Sequence, residues 1–255
     1  GGVQAVIIPL PQDTFRPETW SLGHDGEAQK LNLPERVGVS GVIDGRLVFS
    51  PDQAWSFDGE DYVAGSLLAL PLGVLGETRL HLRVGRDSAL VFQPNERQAL
   101  QGVAVLPAPL AAAVTDNVAG TLLRFQAGEP GWTAAPIAVP ANLAVGLGDS
   151  SKSRGQVFVS TQGFLVPPTL SLADASAGSL TELKAAPAKF DASTHVTEQY
   201  EATSTDGTKI PYFITRPRDL AMDGTAPTVM LGYGGFQVSL NPAYKPEMGK
   251  LWLER

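Results

Sequence analysis

Cysteine is absent from the 255 residues, which excludes disulfides, thiolate metal sites and a cysteine nucleophile. That absence assigns no compartment, because disulfide-free proteins work on both sides of a membrane. Positive charge is scarce: 19 Lys and Arg stand against 26 Asp and Glu, for a formal net charge of −7. A nucleic-acid surface needs a basic face, so no nucleic-acid partner is expected. No apolar run approaches the ~18–20 residues of a membrane span, and the longest, Leu106–Val114, is interrupted by Pro107 and Pro109. No membrane association is expected. Histidine occurs three times, at His24, His81 and His195. None joins a carboxylate at a convincing ligand spacing, so no metal site is expected. A Gly-rich phosphate loop is also missing, since Gly232–Gly235 runs on into Phe-Gln-Val-Ser rather than Gly-Lys-Ser/Thr. No cofactor is therefore expected. The chain opens Gly-Gly-Val with no initiator Met and no basic-then-apolar leader, a start read here as a cut.

Glycine and proline are plentiful, at 27 and 20 residues, without any collagen-like period. They punctuate short apolar runs, which is the behaviour of an all-β region. Gly-Ser-Leu-Leu-Ala-Leu begins at Gly65, Gly-Thr-Leu-Leu-Arg-Phe at Gly120 and Pro-Thr-Leu-Ser-Leu at Pro168. Thr19–Leu22 reads as an earlier copy. In each unit a strand comes first (Val37–Ile43, Gly102–Leu106, Leu143–Leu147) and a second follows (Arg46–Ser50, Leu110–Thr115, Gln156–Thr161). The quoted run is third, and a fourth closes the unit (Arg79–Val84, Thr133–Val139, Leu180–Lys184). Asp-Gly pairs at Asp25, Asp44 and Asp58 supply turns in which glycine accepts positive φ.

Four short antiparallel strands recurring every ~40–50 residues are the signature of propeller blades. Val6–Leu10, Thr19–Gly23 and Ala28–Leu33 read as most of one more blade. The expectation is three blades and most of a fourth over residues 1–190, with a β-sandwich of coincidental spacing as the alternative.

The pattern changes after residue 190. Pro187–Thr194 reads as a linker, and Glu198–Thr205 with Thr208–Arg216 as a hairpin about Asp206-Gly207. Pro227–Leu231 suits a buried strand, and Pro246–Arg255 a helix with Glu247 in its first turn. Between them stands Gly232-Tyr-Gly-Gly-Phe236. Three glycines around an aromatic residue at a strand end mark either a ligand-facing loop or a plain turn with Tyr233 and Phe236 in the core.

From Tyr200 to Arg255 the sequence resembles the propeller-to-hydrolase junction of the prolyl oligopeptidase family. The resemblance rests on Ser204–Phe213, Arg216-Pro-Arg-Asp219, Asp223-Gly224, Leu231–Phe236 and Gly249–Arg255. Residues 1–190 resemble the later blades of bacterial members, most of all at Val157–Leu172 and Phe190-Asp-Ala-Ser193. The resemblance implies a mostly β chain: the C-terminal blades of a β-propeller in 1–190, then a linker and the start of an α/β-hydrolase domain in 191–255. It implies a serine peptidase that cleaves short peptides after proline, in which Tyr233 donates to the oxyanion hole and Phe236 lines the proline pocket.

No Gly-x-Ser-x-Gly elbow occurs in the chain. The family's Ser, Asp and His all follow the region that ends at Arg255, and the three histidines present read as blade, surface or linker residues. The segment alone is expected to be inactive. Open sheet edges and uncovered apolar faces lead to an expectation of aggregation, self-association or pairing with the remainder of the protein. Two other functions fit the residues: a non-catalytic propeller that binds a protein partner, and an oligopeptidase branch specific for basic residues. The compartment is left open.

Overall fold

A computed structural model describes residues 6–11, 17–23, 25–76, 86–107, 109–235 and 239–255. The first sheet holds three strands in the order β1 (Val6–Pro11), β2 (Pro17–Leu22) and β3 (Ala28–Lys30). The second holds β4 (Val37–Ile43), β5 (Arg46–Pro51), β8 (Leu67–Pro71) and β9 (Leu90–Phe92). A separate hairpin, β6 (Trp55–Phe57) and β7 (Glu60–Tyr62), lies between β5 and β8 in sequence. The third sheet is β10 (Gln98–Ala104), β11 (Leu110–Asp116), β12 (Ala119–Ala127) and β13 (Trp132–Ile137). The fourth is β14 (Ala144–Ser151), β15 (Gln156–Gln162), β16 (Thr169–Asp174) and β17 (Ser179–Ala185). Every pairing is antiparallel, so the last three sheets are four-stranded meanders.

The sheets stack in chain order. Leu47, Phe49, Leu68 and Leu70 of the second sheet pack with Leu31 and Ile7 beside the first. The alternate residues Val48, Leu67 and Ala69 turn the other way, onto Leu110, Ala112, Val114 and Phe125 of the third. Ala111, Ala113 and Leu122 leave the opposite face of that sheet to meet Val145, Val157 and Val159 of the fourth. Strand β11 is thus buried on both sides, which explains why it reads as an unbroken apolar run while β15 alternates. Small residues on one face of β11 let the neighbouring sheet approach closely.

A bulge recurs at one place in each unit. The register slips between Val39 and Gly41 in β4, Leu100 and Gly102 in β10, and Leu147 and Ser150 in β14. The first strand of every four-stranded sheet therefore carries a bulge, one residue later along β14 than along β4 and β10, a device that increases local twist. This common bend supports the repeat independently of side-chain similarity.

Most expected strands lie where the sequence placed them, within a few residues. Thr19–Leu22 falls on the middle strand of the first sheet. The expected strand Arg79–Val84 lies outside the described residues, and the fourth strand of the second sheet is Leu90–Phe92, whose Leu90 and Phe92 pair with Leu68 and Leu67. The segment Pro227–Leu231 is not a strand: Val229, Met230 and Leu231 are 45%, 91% and 62% exposed. A lone apolar run needs flanking strands to satisfy its backbone, and none of the described residues pairs with it. The part after residue 190 accordingly contains no α/β sheet among the described residues. It contains the antiparallel hairpin β18 (His195–Thr203) and β19 (Lys209–Pro217). The C-terminal helix is a short α-turn, Pro246–Met248, continued by a π-turn over Gly249–Leu253.

Candidate functional site

The glycine-tyrosine loop leaves the extended segment at Leu231 and runs over Gly232–Gly235 with no regular structure before Gly235. Its three described glycines are not equivalent. A side chain at Gly232 or Gly234 would meet nothing within 4 Å, whereas a Cβ on Gly235 would fall 2.9 Å from the Tyr233 hydroxyl. The phenol thus folds back across its own loop and approaches Gly235. Tyr233 is 55% exposed, and the reading of Tyr233 as a core residue is set aside. Phe236 lies outside the described residues.

Turns and ties fix the segment on either side. Asp223 Oδ1 accepts from the Thr225 backbone N–H at 3.0 Å and its hydroxyl at 2.7 Å, across Gly224 with φ of 81°. These bonds, the hydroxyl's first, hold the Asp223 carboxyl below its ordinary range. Downstream, the Tyr244 backbone N–H donates to Gln162 Oε1 of the fourth sheet at 3.3 Å. The Tyr244 hydroxyl accepts from the Lys189 backbone N–H at 2.8 Å. The loop is therefore carried between anchored ends.

The linker is anchored too. Phe190 is buried and stacks on Tyr244 with ring centroids 5.1 Å apart and planes 12° from parallel. Asp191 caps its own turn, and Ser193, hydroxyl first and then backbone N–H, lowers its carboxyl's pKa. His195 is not part of the linker but the first residue of β18, buried, with Nδ1 3.2 Å from the Thr194 hydroxyl. His24 and His81 lie outside the described residues. At the same end of the hairpin, on its second strand, Arg216 Nη2 pairs with Glu198 at 2.7 Å, and Nη1 donates to the carbonyls of Pro217 and Arg218. These bonds fold the end of the strand back on the Arg216 side chain.

Nothing in this arrangement supplies a nucleophile and a base. His195 is held by Thr194 in the hairpin, and no serine elbow precedes a helix anywhere in the sequence. Among the described residues no group of three His, Asp or Glu could hold a metal. The Asp58–Asp61 turn is such a non-site: Asp61 accepts from the Ser56 hydroxyl at 2.5 Å, and Asp58 and Asp61 are exposed. A cleft of about 440 Å³ lies on the outer face of the fourth sheet, lined by Ala144, Ser160, Pro168 and Lys184. It is a shallow sheet face with no convergent polar groups. The chemistry available is one exposed hydroxyl donor on a glycine-framed loop.

Comparison with known proteins places this loop in context. The chain is 35% identical over 235 residues to the uncharacterized peptidase y4nA of Sinorhizobium fredii, covering 91% of this chain and 32% of that protein. It is 32% identical over 118 residues to a prolyl endopeptidase of Elizabethkingia miricola, covering 46% of this chain and 17% of the relative. A post-proline cleaving enzyme from Rickettsia typhi superposes with a TM-score of 0.77 at 26% identity, over 98% of this chain and 36% of that structure. The chain belongs to the prolyl oligopeptidase family. It spans about a third of the length of the Sinorhizobium fredii peptidase and of the Rickettsia typhi structure. No protein-family model matches it.

As a stretch of a prolyl oligopeptidase, the chain is mostly β, as the repeat implied. Among the described residues no helix is long and apolar enough to cross a membrane. Two features escaped the sequence reading. One is the recurrent bulge, for which glycine at Gly41 and Gly102 was the only signal. The other is the turn Asn117–Val118, both residues of which have positive φ.

Proposed function

We propose that these residues form the last blades of a β-propeller and the first part of the peptidase domain of a serine oligopeptidase that cleaves short peptides after proline. In this reading residues 1–190 are three blades and most of a fourth, and residues 191–255 lead into an α/β-hydrolase domain. Tyr233 is the oxyanion-hole donor. The observation that carries the reading is the exposed Tyr233 phenol folded over Gly235, in a chain with a 35% identical peptidase relative.

The chemistry requires little of this chain. When a serine hydroxyl adds to the scissile carbonyl, negative charge grows on the carbonyl oxygen. A preplaced O–H donor stabilises that charge more than the neutral ground-state carbonyl. Phe236 supplies an apolar wall for a proline ring, with no group to desolvate. The serine, its base and the orienting acid come from beyond these residues, so the segment by itself does not turn over peptides.

The test is Tyr233→Phe in the natural polypeptide that carries these residues. Loss of one oxyanion donor costs about 100- to 1,000-fold in kcat, with KM for a proline peptide little changed. Because the side chain is exposed, the thermal transition stays in place. An unchanged kcat would remove Tyr233 from the oxyanion hole.

A further inference from the structure

A second set of contacts joins the sheets to the hairpin β18–β19, and peptide hydrolysis does not account for it. The turn between β11 and β12 is Asn117–Val118, with φ of 47° and 61°. Asp44–Gly45 and Asp58–Gly59 make the same two-residue left-handed turn with glycine second. A β-branched residue at positive φ is an outlier that persists only where surrounding contacts hold it. Here the residue before Val118 is engaged twice, through its side-chain amide and through its carbonyl. Asn117 Nδ2 donates to Glu201 Oε1 at 2.9 Å, and the Asn117 carbonyl accepts from Gln199 Nε2.

Charge and shape extend this contact. Arg97 lies 3.9 Å from Glu201 through Nη1 and 3.5 Å from Asp116 through Nε. Gln98 Nε2 donates to the other Asp116 oxygen at 3.1 Å. The backbone N–H of Asn117 donates to the Arg97 carbonyl at 2.9 Å, tying the turn to the chain that brings the guanidinium. Two further loops meet the hairpin: Asn142 Nδ2 donates to the Thr197 carbonyl at 3.1 Å, and Phe164 packs on Phe213 at 5.4 Å. Phe213 is the register partner of Gln199.

We propose that the Asn117–Val118 turn is a docking clasp that fixes the hairpin against the ends of the third and fourth sheets, with Asn117 and Glu201 setting its register. One turn residue reads two positions of β18 spaced by two, so both lie on one face of the strand. A slip of one residue toward the C-terminus would offer the turn Tyr200 and Ala202, and the Ala202 side chain has no acceptor for the Asn117 amide. The hairpin leads the chain toward the Tyr233 loop, so these are positioning residues. They touch no substrate, and the inference stands apart from the peptidase reading.

The test is amide hydrogen exchange on the natural polypeptide and on Asn117→Gly, Glu201→Ala and the double variant. Glycine keeps the left-handed turn accessible while removing the donor. Each single variant is expected to speed exchange across β18 and β19 about tenfold, with β11, β12 and β15 unchanged. The double variant should be no faster than the faster single, because both changes delete one contact. Unchanged exchange in the hairpin overturns the proposal, as do additive singles. So does equal acceleration throughout the third sheet, which would make the turn a device of that sheet alone. The readout needs no substrate, so its failure leaves the Tyr233 assignment standing.

Discussion

Gly249 and Phe190 occupy the same space: a Cβ built on Gly249 would lie 2.0 Å from Phe190 Cδ1 and 2.2 Å from Cε1. The two residues are far apart in sequence, in the linker and in the C-terminal turn, yet each exists in its form because of the other. Phe190 needs a helical surface without a side chain, and Gly249 provides it while tolerating the helical backbone that glycine ordinarily weakens. Tyr244 stacks on the same ring.

Gly249→Ala should therefore act through Phe190. The clash cannot be absorbed by a flexible tip, because the nearest atoms belong to the ring. Overpacking of this kind costs roughly 1–3 kcal/mol. Limited proteolysis should show faster cutting in the linker, and Phe190→Leu should restore resistance in the double variant. Equal proteolysis of parent and single variant would show that the turn moves away from Phe190 at no cost.

The stacked sheets make a graded prediction about truncation. Phe125 is fully buried between the second and third sheets, while Phe158 is 40% exposed on the outer face of the fourth. Phe125→Ala should cost about 3–5 kcal/mol in a chemical-denaturation midpoint analysis. Phe158→Ala should cost well under half of that. Comparable losses at both positions would mean that the outer face is covered in the protein as it folds.

The unequal legibility of these regions has a physical cause. Strands buried on one or both faces announce themselves by alternation or by an apolar run, and the Asp-Gly turns at Asp44 and Asp58 have the expected positive φ at both residues. Asn117–Val118 adopts that turn against its local preference, so no composition rule finds it. Pro227–Leu231 shows the reverse failure. Its apolar pattern is that of a buried strand, but strand formation depends on neighbours that a window of five residues cannot contain. The glycines of the tyrosine loop fit a ligand-facing loop or a plain turn equally well, and only the family resemblance singles out Tyr233, whereas the approach of its phenol to Gly235 rather than to Gly234 emerges only from the structure.

A cross-strand pair on the hairpin gives a third prediction. Tyr200 and Tyr212 face each other in register, stacked at 5.8 Å, and both are exposed. An aromatic pair of this kind contributes about 0.2–1 kcal/mol relative to alanine. Tyr212→Ala should speed amide exchange in β18 severalfold or less, and Tyr200→Ala added to it should change little more. Strictly additive effects would mean that the rings stabilise the hairpin separately.

The last prediction concerns acid. Glu254 accepts from Lys250 Nζ at 2.5 Å and from the Asp191 backbone N–H at 2.8 Å. The lysine contact first, and the backbone bond second, hold its carboxyl below the usual value of 4.5. A carboxyl whose pKa is lower folded than unfolded contributes stability that is fully present above the unfolded value. That contribution is lost as pH falls through the folded value. The join between the C-terminal turn and the linker should therefore hold at neutral pH and loosen only below about 4.5. Asp191, lowered by Ser193, titrates in the same acid range and works in the same direction. Glu254→Gln keeps an oxygen acceptor for the Asp191 N–H but removes the charge that attracts Lys250. Protease cutting between residues 187 and 194, followed across pH 3 to 7 with an acid-tolerant protease, should rise toward low pH in the parent and show a weaker dependence in Glu254→Gln. An identical pH profile in the two proteins would assign the acid response to Asp191 rather than to Glu254.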